Sequence, residues 1–239
     1  MIDTLGSTSS ILLGTTATLA VVHTLLGIDH SLPFVALGRA RGWTLTRTVV
    51  ITAVCGAGHV ASSVLIGGVG AVVGSTLDSL LWIESVRGEL AAALLVGFGL
   101  TYAAWALWRT LRGVTHSHLH AHADGTIHVH PHAHIGEHAH PHPSERSLTP
   151  WVLFVIFVFG PCEPLIPLMV VPAVAGSWAV VGAVVSIFGL LTIGTMMTTV
   201  AVGYRGLGMV DRLLVGRHAD LLAGLLIAAS GAAVLVFGI

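Results

Sequence analysis

Six long apolar segments constrain the fold of this chain more than any other feature of its sequence. They cover roughly residues 11–37, 49–74, 88–108, 151–175, 178–202 and 219–237, and a helix needs about 20 apolar residues to cross a bilayer. Only 9% of the 239 residues are charged, whereas a soluble domain carries about 25%. Too few polar groups remain to cover a globular surface, so we predict an all-α integral membrane protein with six transmembrane helices.

The arginines indicate the orientation of these helices. The chain has no lysine, and nine of its ten arginines flank what would be one side of the membrane: Arg39, Arg41, Arg47, Arg109, Arg112, Arg146, Arg205, Arg212 and Arg217. Only Arg87 is predicted to lie in an opposite-side loop, beside Asp78 and Glu84. By the positive-inside rule the nine are cytoplasmic and both termini are outside, which suits a bacterial or archaeal plasma membrane. The net charge near zero gives no reason to expect a nucleic-acid partner.

The two halves of the chain resemble each other. An offset of 134 residues places Asp29 over Glu163 and Pro33 over Pro167, so each half has an acid followed four residues later by proline. With three helices each, the halves must insert in opposite senses, which is a 3+3 inverted repeat, common in secondary transporters. We therefore divide the chain into a first repeat (1–110), a cytoplasmic loop (111–149) and a second repeat (150–239).

The first apolar segment contains His23, Asp29 and His30, together with Gly27 and Pro33. A carboxylate in hydrocarbon costs roughly 2.5–3.5 kcal/mol on insertion scales, so Asp29 must be paired, bound to metal or facing water. Pro33 lacks an N–H group and crowds the carbonyl of Asp29, and Gly27 adds local freedom. The sequence therefore predicts that helix 1 breaks near the membrane midplane and lines an ion site there.

The fourth segment carries a matching polar group within a proline cluster. Cys162 and Glu163 lie among Pro161, Pro164 and Pro167, and three prolines in seven residues cannot continue a regular helix. We predict that helix 4 is broken as well.

His59, in the second segment, follows the small residues of Cys55-Gly-Ala-Gly, which let helices approach closely. The predicted transport site consists of Asp29, His30, Glu163, His59, His23 and Cys162. Imidazoles with carboxylates and optional sulfur suit Ni²⁺, Co²⁺ or Zn²⁺ better than Mg²⁺ or Ca²⁺. Structural alternatives stay open: an intramembrane histidine often only bonds a neighbouring helix, and either cysteine could be inert.

Eleven histidines fall within 27 residues between the third and fourth segments. They are His116, His118, His120, His122, His128, His130, His132, His134, His138, His140 and His142. So polar a run cannot build a packed core, and neutral imidazole is the commonest ligand of transition metals. We predict a flexible, redundant metal-binding loop, with a merely solvated, pH-sensitive linker as the alternative.

These motifs resemble a known family. His23-x5-Asp29-His30 resembles the HX4DH signature of the nickel/cobalt transporter (NiCoT/NicO) superfamily, with five intervening residues instead of four. Together with the His-rich loop and the sequence 159–167, it looks like a small branch described as nickel-permease-like or urease-accessory-type membrane proteins. The resemblance implies that His23, Asp29 and His30 select and bind the metal. The same helical plan resembles the cytochrome c biogenesis family, so fold alone does not fix the chemistry.

The first functional hypothesis is a secondary transporter of Ni²⁺ or Co²⁺, with no permanent cofactor and no enzymatic step. A cytoplasmic metallochaperone is a candidate partner, and the sequence leaves open the direction of transport and the oligomeric state. The second is a membrane thiol–disulfide electron carrier using Cys55 and Cys162. The third is a metal-buffering accessory protein for the assembly of a nickel enzyme.

Overall fold

The computed structural model describes residues 2–112, 116–121, 127–132, 149–207 and 218–237, with the backbone alone at 2–8 and in both strands. Eight α-helices and two short strands follow one another along these residues. They are α1 (Ile2–Leu26), a 3₁₀ turn (Ile28–His30), α2 (Leu32–Ala40), α3 (Leu45–Val73), α4 (Leu77–Leu111), β1 (His116–Ala121), β2 (Ile127–His132), α5 (Thr149–Phe159), α6 (Leu165–Val174), α7 (Trp178–Leu207) and α8 (Ala219–Phe237).

Five of these helices are long and apolar enough to cross a membrane, namely α1, α3, α4, α7 and α8. Their outward faces carry large apolar side chains, such as Val72 and Leu111, that remain more than three-quarters exposed. Water would not tolerate so extensive an apolar surface, whereas lipid would. The structure thus agrees with an all-α membrane protein. The predicted fourth segment is two shorter helices, α5 and α6.

The closest helix packing joins α4 to α8, the third helix of each predicted repeat. A Cβ atom added to Gly99 would lie 2.4 Å from the backbone nitrogen of Ala228, and one added to Gly224 would lie 2.6 Å from that of Ala103. The two backbones therefore touch where the side chains are smallest, which is how helices associate in lipid.

Both predicted helix interruptions are present. The first runs from the end of α1 at Leu26, through the 3₁₀ turn, to the start of α2 at Leu32; the second separates Phe159 of α5 from Leu165 of α6. We call them the first break and the second break. Helix α1 is 25 residues long, which is enough to cross the bilayer before the first break is reached. The position of this break at the membrane midplane therefore stays a prediction.

Two of the predicted helix-breaking prolines do not lie in the breaks. Pro33 is in the first turn of α2, and Pro167 is the third residue of α6. The first-turn N–H groups have no intrahelical partner, so proline loses nothing there. Gly27, Pro161 and Pro164 lie in the breaks themselves, as predicted.

The prediction that Arg87 lies in a loop with Glu84 is wrong. Helix α4 begins at Leu77 and contains both residues. The Glu84 side chain is fully buried, and the Arg87 guanidinium forms an ion pair with it one helical turn away. Because the two charges neutralise each other inside the bundle, the helix extends through a stretch that hydropathy alone assigns to a loop.

Part of the predicted flexible loop is a two-stranded antiparallel ladder instead. Strands β1 and β2 pair so that His116 is opposite His132, His118 opposite His130 and His120 opposite His128. Histidine alternates with other residues in both stretches, which matches the two-residue period of a strand. The remaining predicted loop ligands, His122, His134, His138, His140 and His142, lie outside the described residues.

Candidate metal centre

Three buried or half-buried histidines from separate parts of the sequence meet at the first break. His23 comes from the last turn of α1, His30 from the 3₁₀ turn and His59 from the middle of α3. One ring nitrogen from each lies within 4.8 Å of the others. The ring centroids of His23 and His30 are 4.8 Å apart, and those of His30 and His59 are 5.1 Å apart.

The first break brings His23 and His30 together. In an unbroken helix, seven residues would separate their Cα atoms by about 10 Å along the axis. Here the helix ends at Leu26, and Gly27 adopts an extended conformation before the 3₁₀ turn. A Cβ atom on Gly27 would lie 2.1 Å from Nδ1 of His30, so only glycine leaves room for this imidazole.

The orientation of the His30 ring is fixed by its Nδ1 atom. This atom is hydrogen-bonded to the carbonyl oxygen of Gly27 at 3.2 Å, and Oδ1 of Asp29 lies 3.1 Å from it. With the proton held on Nδ1, Nε2 presents its lone pair to the cluster. A carboxylate behind a metal-binding imidazole is a common arrangement that orients the ring and raises its basicity. Asp29 is therefore placed to support His30.

Several nitrogen atoms of the cluster are buried without partners. Among the described residues, no group meets Nε2 of His23, Nε2 of His30 or either ring nitrogen of His59 with regular hydrogen-bond geometry, although the Phe157 backbone lies close to the His59 ring. An unsatisfied buried polar group costs about 1–3 kcal/mol. One divalent ion bound by the three imidazoles would satisfy one of these nitrogens on each ring, since nitrogen ligands lie about 2.1 Å from such an ion. In tetrahedral coordination such nitrogens would lie about 3.4 Å apart, so ring rotations that shorten the longest separation by about 1.4 Å would complete the site.

The cluster opens into a cavity of about 450 Å³. Both breaks contribute to its walls, through Gly27 and Asp29 from the first and Gly160 and Pro161 from the second. Gly160 lies against the cluster, since a Cβ atom there would be 3.0 Å from Nδ1 of His59. An ion in the cluster would thus touch a space shared by the two halves of the chain.

Three of the six predicted ligands, Asp29, Glu163 and Cys162, lie outside the group of nearby ligand atoms. Glu163 is exposed and lines the same cavity, but none of its oxygens belongs to the group of nearby ligand atoms. Cys162 is fully buried among apolar residues and does not line the cavity. The second break therefore contributes to the cavity wall and not to the ligand group, since the residue that lies against His59 is Gly160, which has no side chain.

The cysteines give no support to thiol–disulfide exchange. Both are free and buried. Cys55 packs in the cluster around Phe34 and Phe157, and Cys162 packs in a different one around Leu165 and Phe188.

Three charged residues near the cavity were not identified as site residues from the sequence. Glu89 lines the cavity wall, while Glu84 and Arg87 lie behind it and contact the second break. The three-residue spacing of Glu84 and Arg87, which lets them pair on one helix face, was the available signal.

Comparisons of the chain with protein-family models, curated proteins and solved structures found no match.

Proposed function

We propose that the protein is a secondary transporter that moves a divalent transition-metal ion across the membrane. The observation that carries this proposal is the set of three imidazoles with unpartnered buried nitrogens, opening into a cavity between two broken helices. The transported ion would bind to His23, His30 and His59, with Asp29 orienting His30.

Nickel and cobalt are the first candidates for the transported ion, with zinc the next. Imidazole nitrogens suit these ions, whereas Mg²⁺ and Ca²⁺ prefer all-oxygen shells. Three protein ligands leave coordination positions for water, so the ion can exchange. The family resemblance at Asp29 and His30 favours the same two metals.

Transport fits the arrangement better than storage does. Under the predicted 3+3 inverted repeat, the two breaks would belong to equivalent helices, and rocking of one half against the other would alternate access to the ion. The cavity walls include residues from both halves. The histidines of the 111–149 segment would raise the local metal concentration on one side.

The test is the flux of radioactive nickel in right-side-out and inverted membrane vesicles. We expect His30→Ala and His59→Ala to reduce the flux on the order of a hundredfold, because each removes one of three ligands. His218→Ala is the matched control, since this histidine is exposed and lies outside the cavity. Deletion of residues 116–142 should leave most of the flux, because the central site remains.

Wild-type flux in both His30→Ala and His59→Ala would exclude the cluster as the transport site. Loss of function on deleting 116–142, with function retained in His30→Ala, would instead support the metal-buffering accessory protein. The vesicle orientation that accumulates nickel gives the direction of transport.

A further inference from the structure

Among the hydrogen bonds that the second break removes from a continuous helix, one would join Cys162 to Val158. In such a helix the N–H group of Cys162 would donate to the carbonyl oxygen of Val158, four residues earlier. Here α5 ends at Phe159, and both groups are left without that bond. In hydrocarbon every backbone polar group must be satisfied within the protein.

Glu84 replaces the Val158 carbonyl as the acceptor for the N–H group of Cys162. Its Oε2 atom lies 2.9 Å from the backbone nitrogen of Cys162 and 2.9 Å from the hydroxyl oxygen of Ser63, which donates to it. The Ser63 hydroxyl oxygen also lies 3.2 Å from the Cys162 nitrogen and accepts from it.

Arg87 replaces the Cys162 N–H group as the donor to the carbonyl oxygen of Val158. Its guanidinium donates to the carbonyl oxygen of Val158 at 2.8 Å and to that of Gly160 at 3.3 Å. The same guanidinium is paired with the carboxylate of Glu84. The end of α5 carries partial negative charge from its free carbonyls, so the cation meets the carbonyl end and the anion meets the N–H group.

We propose that the Glu84–Arg87 pair is a positioning device that holds the second break open against the metal cluster. The backbone that it fixes includes Gly160, whose Cα is close to the His59 ring, and Pro161, which packs on Gly88 of α4. The pair lies behind the cavity wall, and its hydrogen bonds go to the second break and to α3, not to the three clustered histidines. This role rests on the proposed metal site, because positioning matters only if His59 binds an ion.

The test compares the wild-type protein with the charge-swapped double variant E84R/R87E. The swap keeps an ion pair on α4 but presents a cation to the Cys162 N–H group and an anion to the carbonyls of Val158 and Gly160. If Glu84 and Arg87 only neutralise each other, the swapped pair should function like the wild-type pair. If they hold the second break in place, the swap should disrupt that break. The control is the swap R109D/D220R, which reverses another ion pair, joining α4 and α8 at 2.8 Å.

Two measurements on purified protein are used. Amide hydrogen exchange at Cys162 should become roughly tenfold to a hundredfold faster in E84R/R87E, because charge-assisted hydrogen bonds are lost. It should be unchanged in R109D/D220R. Titration with Co²⁺, read from the absorption of the bound ion, should show about tenfold weaker binding and a shifted spectrum in E84R/R87E only.

If the double variant does not fold, E84Q and R87K carry the test. E84Q keeps a side-chain oxygen that accepts from the Cys162 N–H group, whereas the comparison variant E84A does not. Hydrogen exchange at Cys162 should therefore accelerate less in E84Q than in E84A. Wild-type exchange and Co²⁺ binding in E84R/R87E would overturn the proposal, as would faster exchange with unchanged Co²⁺ affinity. Absence of Co²⁺ binding by the wild-type protein would instead overturn the proposed function, and the exchange rate would still decide whether the pair caps the break.

Discussion

Both helix breaks leave backbone N–H and carbonyl groups without their helical hydrogen bonds, and the two breaks replace these bonds in different ways. The first break forms backbone hydrogen bonds within itself: His30 N–H donates to the carbonyl of Gly27, and Ser31 N–H to that of Ile28. The second break takes its partners from α4, through Glu84 and Arg87. The local hydrogen bonds of the first break leave its side chains free to bind an ion. The hydrogen bonds from α4 instead fix the second break in place as part of the cavity wall.

This difference also separates the two acids that the predicted repeat places in equivalent positions. Asp29 lies beside a ring nitrogen of the cluster, and Glu163 is exposed at the cavity wall. Under the predicted repeat, the pattern of acid and proline would occur in both halves, while only the acid of the first half lies beside the proposed binding site.

The largest effect on Co²⁺ affinity is expected when the glycine of the first break, and not that of the second, is replaced by alanine. In Gly27→Ala the new Cβ atom would lie 2.1 Å from Nδ1 of His30, so the imidazole must leave the cluster, and we expect Co²⁺ affinity to fall on the order of a hundredfold. In Gly160→Ala the contact with Nδ1 of His59 is 3.0 Å, and roughly a fivefold loss is expected.

Gly14→Ala on α1 is the control, because a Cβ atom there meets nothing within 4 Å. Co²⁺ titration of the three variants measures the effect. Equal losses at Gly27 and Gly160 would mean that the two breaks contribute alike.

A smaller effect is expected for the acids. Asp29→Asn removes the carboxylate that lies 3.1 Å from Nδ1 of His30, and such supporting groups are worth about 10–100-fold in metal affinity. Glu163→Gln should change the affinity by less than about threefold, because its side chain lies outside the cluster.

Asp78→Asn serves as the control, since Asp78 is an exposed acid at the start of α4. Metal affinity is measured by equilibrium dialysis with nickel. A greater loss in Glu163→Gln than in Asp29→Asn would make the second break the binding element and reverse the assignment.

The smallest effect is expected for the cysteines. Cys162 takes part in the second break through its backbone N–H group, which Cys162→Ala retains, and Cys55 packs in an apolar cluster and is not one of the grouped ligand residues. Nickel flux in the double variant Cys55→Ala/Cys162→Ala should stay within about twofold of the wild type once corrected for protein amount.

Complete loss of activity in the double variant, with correct folding, would restore the thiol–disulfide hypothesis. Each single Cys→Ala variant then shows whether one thiol or both are required.

Much of the fold could be predicted from the sequence because hydropathy and proline act locally. The long apolar runs indicated the helices, and Gly27 and the prolines at 161 and 164 indicated where two of them stop. The same local chemistry placed Asp29 and His30 at a break, and His59 among small residues. The start of α4 was missed because Glu84 and Arg87 look like loop residues until their mutual pairing is known.

The sequence by itself determined the membrane class, the two breaks and the residue types available to a metal. Only the tertiary structure decided which of those residues meet: it grouped His23, His30 and His59, left Glu163 on the cavity wall and turned Cys162 toward Glu84. The physical reason is that helical periodicity fixes neighbours on one helix, whereas distances between helices depend on how closely backbones pack, as at Gly99 and Gly224.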